Sequence, residues 1–177
     1  MNKIKEKKCY KGFSIWLMPT GIAYKELLDL ISKLSQEYSS PVFQPHVTLI
    51  GGLSGKKEEI ISKSSKLASQ ISPYKIKISK PAYFNEYFRS LFLKVKKTKE
   101  VMEANLKAKE IFSYNKKSKY FPHLSLMYGN FSPKIKEKII SELGEINLEF
   151  KVEELHLFFT AGKPKNWYEI EKFDLKS

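Results

Sequence analysis

With a single cysteine, Cys9, this 177-residue chain cannot close an internal disulfide, and nothing in it argues for export to an oxidising compartment. Long apolar runs are also missing, so no segment approaches the roughly 20 residues that a membrane-spanning helix needs. The first residues are basic, but Gly12, Ser14 and Pro19 interrupt the segment after them, which does not read as the apolar stretch of a signal peptide. The expected location is the cytoplasm, with no membrane partner. Arginine is almost absent: Arg89 is the sole one among 32 basic residues, which face 19 acidic ones and leave a formal charge of +13. Such a charge concentrates phosphorylated ligands near the surface. It does not by itself specify a nucleic acid, because scattered lysines lack the planar fork with which arginine grips phosphates and bases. No spacing of His, Cys, Asp and Glu resembles a metal-ligand set, so no metal or other cofactor is expected. No linker rich in Gly, Pro or Ser divides the chain, and residues 1–177 read as one domain with two lobes. Oligomeric state leaves no mark, since no heptad or exposed apolar repeat stands out.

What the sequence does hold is one short pattern written twice. PHVTLIGG carries His46 and Thr48, PHLSLMYG carries His123 and Ser125, and the histidines stand 77 residues apart. In both copies, apolar residues alternate with the imidazole and the hydroxyl. That is the period of two that places successive side chains on opposite faces of a strand. Val47 and Leu49 then face a core, while His46 and Thr48 share the other surface, and Leu124 and Leu126 stand likewise against His123 and Ser125. Each copy opens on a proline, tolerated at the start of a strand, and closes on glycine. Two copies facing each other across one cleft would set two imidazoles and two hydroxyls around a single ligand.

Those groups suit a phosphate ester. Histidine titrates near neutrality, so one ring can act as base while the other acts as acid. Opening a cyclic phosphodiester needs that division: one group takes a proton from the attacking water, and the other gives one to the departing ribose oxygen. Thr48 and Ser125 would donate to the non-bridging oxygens, where charge develops in the transition state.

The duplicated His-x-Thr/Ser pattern resembles the 2H phosphoesterase superfamily. With FSIWLMP, PVFQPHVTLIGG, YFRSLFLKV and YFPHLSLMYG, the chain is similar more narrowly to its cyclic phosphodiesterase branch. The resemblance runs from about residue 12 to about residue 130, with a looser match beyond. It implies opening of nucleoside 2',3'-cyclic phosphates or ADP-ribose 1'',2''-cyclic phosphate, with His46 and His123 as the catalytic pair. Thr48 and Ser125 would then bind phosphate. Tyr128 matches an aromatic that contacts substrate, and Trp16 matches another, placed to stack on a base or close the cleft. Which histidine is acid and which is base is not readable. Two alternatives stay open: an RNA-end enzyme acting on a terminal 2',3'-cyclic phosphate or a 2'–5' linkage, and a non-catalytic nucleotide-binding module.

Two further residues test the pattern. His156 lies in a similar stretch, but Phe158 occupies the hydroxyl position and no proline precedes it, so it reads as structural. Arg89 sits in a strand-like segment, Tyr87–Leu93, either meeting the substrate's phosphate or lying on the rim of an edge strand. Periodicity and caps predict strands at 12–18, 46–50, 75–79, 88–95, 123–127, 150–160 and 166–174. Helices are predicted at 22–37, 56–71 (capped by Ser54), 98–113 (started by Thr98) and 134–143 (after Ser132-Pro133). Lysine-rich Asn115–Lys119 is expected to form a loop beside the site. Both motif strands follow a strand–helix unit, and that equivalence predicts an α+β, bilobal fold. In it two antiparallel sheets flank a central cleft with helices outside, which is also the fold the resemblance implies.

Overall fold

The computed structural model describes residues 10–115 and 119–176, so Cys9 and residues 116–118 of the expected loop lie outside the described residues. The first half runs β1 (Tyr10–Leu17), α1 (Gly21–Tyr38), β2 (Val47–Gly55), α2 (Lys57–Ala68) and β3 (Tyr74–Ala82). The second runs β4 (Leu91–Val95), α3 (Lys99–Ile111), β5 (His123–Met127), α4 (Pro133–Leu143), β6 (Leu148–Val152), β7 (Glu154–Phe159) and β8 (Tyr168–Asp174). Two 3-10 turns, Tyr87–Arg89 and Pro164–Asn166, precede β4 and β8. Local chemistry sets several boundaries. Thr98 accepts a hydrogen bond from the Val101 N–H at 3.4 Å, and Ser132 accepts one from Ile135 at 3.4 Å with Pro133 in the first turn. Ser54 caps nothing, because it lies inside β2; α2 starts after Lys56, with Glu58 and Glu59 against its positive end.

The strands form one antiparallel order, β6-β3-β4-β5-β2-β1-β7-β8. Its two four-stranded halves are the expected two sheets, and they meet at the motif strands through a single pairing, Val47 with Leu124. The symmetry is the expected one: β2 and β5 are equivalent inner strands, each paired with the strand that precedes its helix. The strands after that trade places. β3 leaves the first half to lie beside β4, and β7 leaves the second to lie beside β1. This exchange splits the expected 150–160 strand in two. Phe150 pairs with Ile76 in one half of the sheet, and Leu157 pairs with Ile15 in the other, so the chain changes halves at Glu153.

Helix placement crosses over in the same way, α1 against β5 and α3 against β2. The apolar stripe expected on α1 is buried through Leu27, Ile31 and Leu34. One buried cluster joins Ile15 and Leu17 of β1, Val47 and Leu49 of β2, Ile76 and Ile78 of β3, Leu124 and Leu126 of β5 and Leu157 of β7. The apolar face of every motif strand thus packs inward, which leaves the polar face of the same strands for the cleft.

Candidate active site

Beyond the Val47–Leu124 pairing, the two inner strands separate, and a cavity of about 630 Å³ opens between the halves. His46, Thr48, His123 and Ser125 line it, together with Trp16, Tyr128 and Arg89, so all seven residues expected from the sequence meet in one place. The apolar alternation explains why. Val47, Leu49, Leu124 and Leu126 are all buried on the core side, and their polar neighbours are forced to the other surface. No carboxylate lines the cavity among the described residues, while Arg89 contributes a positive charge.

The histidines are held alike. His46 Nδ1 lies 2.7 Å from the Gln44 carbonyl, and His123 Nδ1 lies 2.8 Å from the Phe121 carbonyl, each two residues back. A carbonyl only accepts, so each Nδ1 carries the hydrogen, and Nε2 is the ring nitrogen left for a ligand. Burial is deeper at His46. Desolvation, with the neighbouring His123 as a smaller contribution, takes its pKa down to about 4. His123 is half-buried, and burial followed by the charge of Arg89 holds it below the ordinary value.

Trp16 is not free to stack on a base. Its indole lies parallel to His46 at 3.5 Å between centroids and to Phe158 at 3.9 Å. Two rings that close cannot share one face, so both faces are occupied, and the indole instead braces the imidazole. Tyr128 is buried with one face on Phe43 at 3.9 Å, and burial raises the pKa of its hydroxyl, against a smaller lowering by the neighbouring Ser125. Ser125 Oγ donates to the Phe88 carbonyl at 3.3 Å, a long bond that a phosphate oxygen can replace. Arg89 lies in a 3-10 turn rather than in a strand, because β4 starts only at Leu91. Its Nε and Nη2 donate to Glu86 Oε2 at 2.8 and 2.6 Å at the cavity rim.

The glycine pair after the first motif does not end the strand. β2 continues to Gly55, and Gly51-Gly52 forms a bulge between the Ile15–Ile50 and Phe13–Leu53 pairs. Gly52 takes φ +68°, which a side chain resists, and a Cβ on Gly51 would stand 3.1 Å from Ser14 Oγ at the cavity wall.

Several lining residues escaped the sequence reading: Ser14, Gly51, Gly52, Phe88, Thr160 and Trp167. Thr160 Oγ1 donates to the Gly12 carbonyl at 2.8 Å and accepts from Ser14 Oγ at 2.9 Å, a contact across 146 residues that no local signal announces. Lys136 was missed as well. Its buried ammonium donates to the Phe84 carbonyl and Asn85 Oδ1 at 3.0 and 2.7 Å, pinning the segment that delivers Phe88 and Arg89. His156, read as structural, stays outside the cavity with Nδ1 donating to Glu169 Oε2 at 2.7 Å.

Known proteins share this architecture. The profile of a family described as cyclic phosphodiesterase-like protein matches residues 11–174. A cyclic phosphodiesterase of Arabidopsis thaliana is 26% identical over 125 residues, which cover 71% of this chain and 69% of that protein. Among solved structures, TT0787 of Thermus thermophilus superposes with a TM-score of 0.68 at 16% identity, over 93% of this chain and 97% of that one. LigT of E. coli, solved with 3'-AMP, gives 0.67 at 10% identity over 94% and 99%. Usb1 of Kluyveromyces marxianus gives 0.52 at 12% over 96% and 99%. At such identities these structures bear on the fold, and they bear out the α+β expectation.

Proposed function

The chain belongs to the cyclic phosphodiesterase-like protein family and is a phosphodiesterase. From that premise we propose that it hydrolyses small cyclic phosphates to phosphomonoesters without a metal ion. The substrates are a nucleoside 2',3'-cyclic phosphate or ADP-ribose 1'',2''-cyclic phosphate. One observation carries the reading: two histidines in one cavity, both turned by the same backbone bond so that Nε2 is left for a ligand. LigT, of the same fold, was solved with 3'-AMP, which supports a nucleotide as the ligand class.

The difference in burial supports one division of the roles that the sequence left open. His46, unprotonated above a pKa of about 4, is the base. It takes a proton from water through Nε2 as the water oxygen bonds to phosphorus. The bond from phosphorus to one ribose oxygen breaks, and the more solvent-accessible His123 gives that oxygen its Nε2 proton. An anionic phosphate between the rings favours the imidazolium that this step needs. Thr48 and Ser125 donate to the non-bridging oxygens as charge gathers there. Tyr128 keeps the Ser125 hydroxyl in place, and Trp16 is a positioning residue that holds the His46 ring. One buried core beneath both halves supports treating residues 1–177 as one domain, in which the cleft keeps a fixed geometry.

The test is turnover of ADP-ribose 1'',2''-cyclic phosphate and adenosine 2',3'-cyclic phosphate in excess EDTA, followed by phosphorus NMR. The His46→Ala/His123→Ala double variant serves as the blank. Phosphomonoester formation that the variant lacks supports the reading. Activity that vanishes in EDTA and returns with a divalent metal, or that survives in the variant, refutes it.

A further inference from the structure

A second cavity, of about 230 Å³, shares Thr48, Gly51, Arg89 and His123 with the first and extends from it as an arm between β2 and α3. It exists because the sheet is joined there by one pairing only. Where β5 no longer reaches β2, side chains take over its role. The Tyr120 hydroxyl donates to the Thr48 carbonyl at 3.0 Å, and the buried Asn105 amide donates to the Leu49 carbonyl at 2.8 Å. The floor of the arm therefore turns no bare carbonyl of Thr48 or Leu49 toward a ligand. The walls carry Lys109, Lys119 and Arg89 and, among the described residues, no carboxylate. A further ammonium, that of Lys97, lies 5.6 Å from the centroid of the Phe121 ring on the same wall. Glu86 engages two of the five N–H donors of Arg89. A space of this size, basic and without a lining carboxylate among the described residues, with the Thr48 and Leu49 carbonyls covered, fits a phosphate better than an uncharged base.

We propose that the arm is a second phosphate subsite, which takes a phosphate on the 5-oxygen of the same ribose whose cyclic phosphate is opened. The inference rests on the phosphodiesterase reading above and narrows its substrate class. With the reacting phosphate between His46 and His123, as proposed above, the arm begins at the adjoining His123 and Thr48 walls, which favours a second phosphate on the same sugar. That chemistry is common to a 5'-phosphorylated nucleoside cyclic phosphate, to ADP-ribose 1'',2''-cyclic phosphate and to the last residue of an RNA strand. The arm is about a third of the reaction cavity, 230 against 630 Å³, which suits one phosphate or diphosphate and not a further nucleotide.

The experiment compares kcat/KM for adenosine 2',3'-cyclic phosphate with and without a 5'-phosphate. In the wild-type protein the 5'-phosphate raises kcat/KM about tenfold, chiefly through KM, as solvent-screened cations on the walls allow. In Lys119→Glu the ratio of the two values falls toward one. Because both substrates meet the same protein, a general loss of activity does not mimic this result. A ratio near one in the wild type, or a ratio unchanged by Lys119→Glu, overturns the subsite. A short RNA ending in a 2',3'-cyclic phosphate that exceeds the 5'-phosphorylated mononucleotide by more than about tenfold overturns it in favour of a strand-binding surface. Calorimetric binding of adenosine 3',5'-bisphosphate against adenosine 3'-monophosphate tests the arm without turnover. A preference for the bisphosphate that Lys119→Glu abolishes supports the subsite even if neither cyclic phosphate is hydrolysed, and equal affinities overturn it. Absence of hydrolysis by itself overturns only the reading on which the subsite rests.

Discussion

Replacing His46 by glutamine changes how the protein's stability responds to pH, by an amount that follows from the buried ring. The unfolded chain takes up a proton at this side chain near 6.5, while the folded chain resists it until about 4. The folded value is the lower one, so the unfolded state binds more protons throughout that window, and stability falls with falling pH. Above 6.5 the neutral ring carries no such cost, and below 4 the whole cost of about 3 kcal/mol applies. At pH 5 the unfolded value has been passed by about 1.5 pH units, which corresponds to about 2 kcal/mol. Lowered protonation at His123 acts in the same direction. His46→Gln cannot titrate, yet its amide can still donate to the Gln44 carbonyl that holds the imidazole in place. Urea unfolding of both proteins at pH 7.5 and pH 5.0, read by tryptophan fluorescence, measures the difference. The wild type should lose about 2 kcal/mol more than the variant between the two conditions. Parallel losses within about 0.5 kcal/mol would show that the ring is not held neutral by burial, and the assignment of His46 as base would lose its physical support.

Three other outcomes are expected. Thr48→Ala and Ser125→Ala should each lower kcat by roughly ten- to a thousandfold, less than removal of either histidine at about a hundred- to ten-thousandfold; equal turnover in all four variants would dissolve the distinction. Gly51→Ala should cost about 1–3 kcal/mol by overpacking against Ser14 and should lower kcat/KM with it; a variant with wild-type Tm and turnover would mean that the bulge yields freely. Trp16→Ala should lower stability by about 3–5 kcal/mol and reduce kcat more than it raises KM, with Trp16→Phe restoring most of both, because the ring braces His46 rather than the substrate. A purely KM effect, measured at a temperature where both variants stay folded, would return Trp16 to direct substrate contact.

Much of the site was legible in the sequence because its logic is local. Alternation over five residues decides which face of a strand is polar, so two copies of one pattern were enough to pair His46 with Thr48 and His123 with Ser125 before any fold was known. Thr98 and Ser132-Pro133 announced their helices for the same reason: a cap acts on backbone groups two or three residues away. The errors fall where the cause is remote. Gly51-Gly52 looked like the end of a strand and is a bulge, because only the partner strand reveals the extra residue. That Trp16 stacks on His46 and Phe158 was equally hidden, since the rings that lie against it come from residues 46 and 158.

By itself, then, the sequence determined which side chains share the polar face of each motif strand, the family and the α+β class. Tertiary structure alone decided that β3 and β7 change places between the halves, that a single pairing joins the two motif strands, and that a basic arm opens where that pairing ends. The division has a physical cause. Side-chain direction along a strand is set by the backbone's own two-residue repeat, whereas strand order and the spaces between strands are set by contacts across a hundred residues or more, which leave no repeat to read.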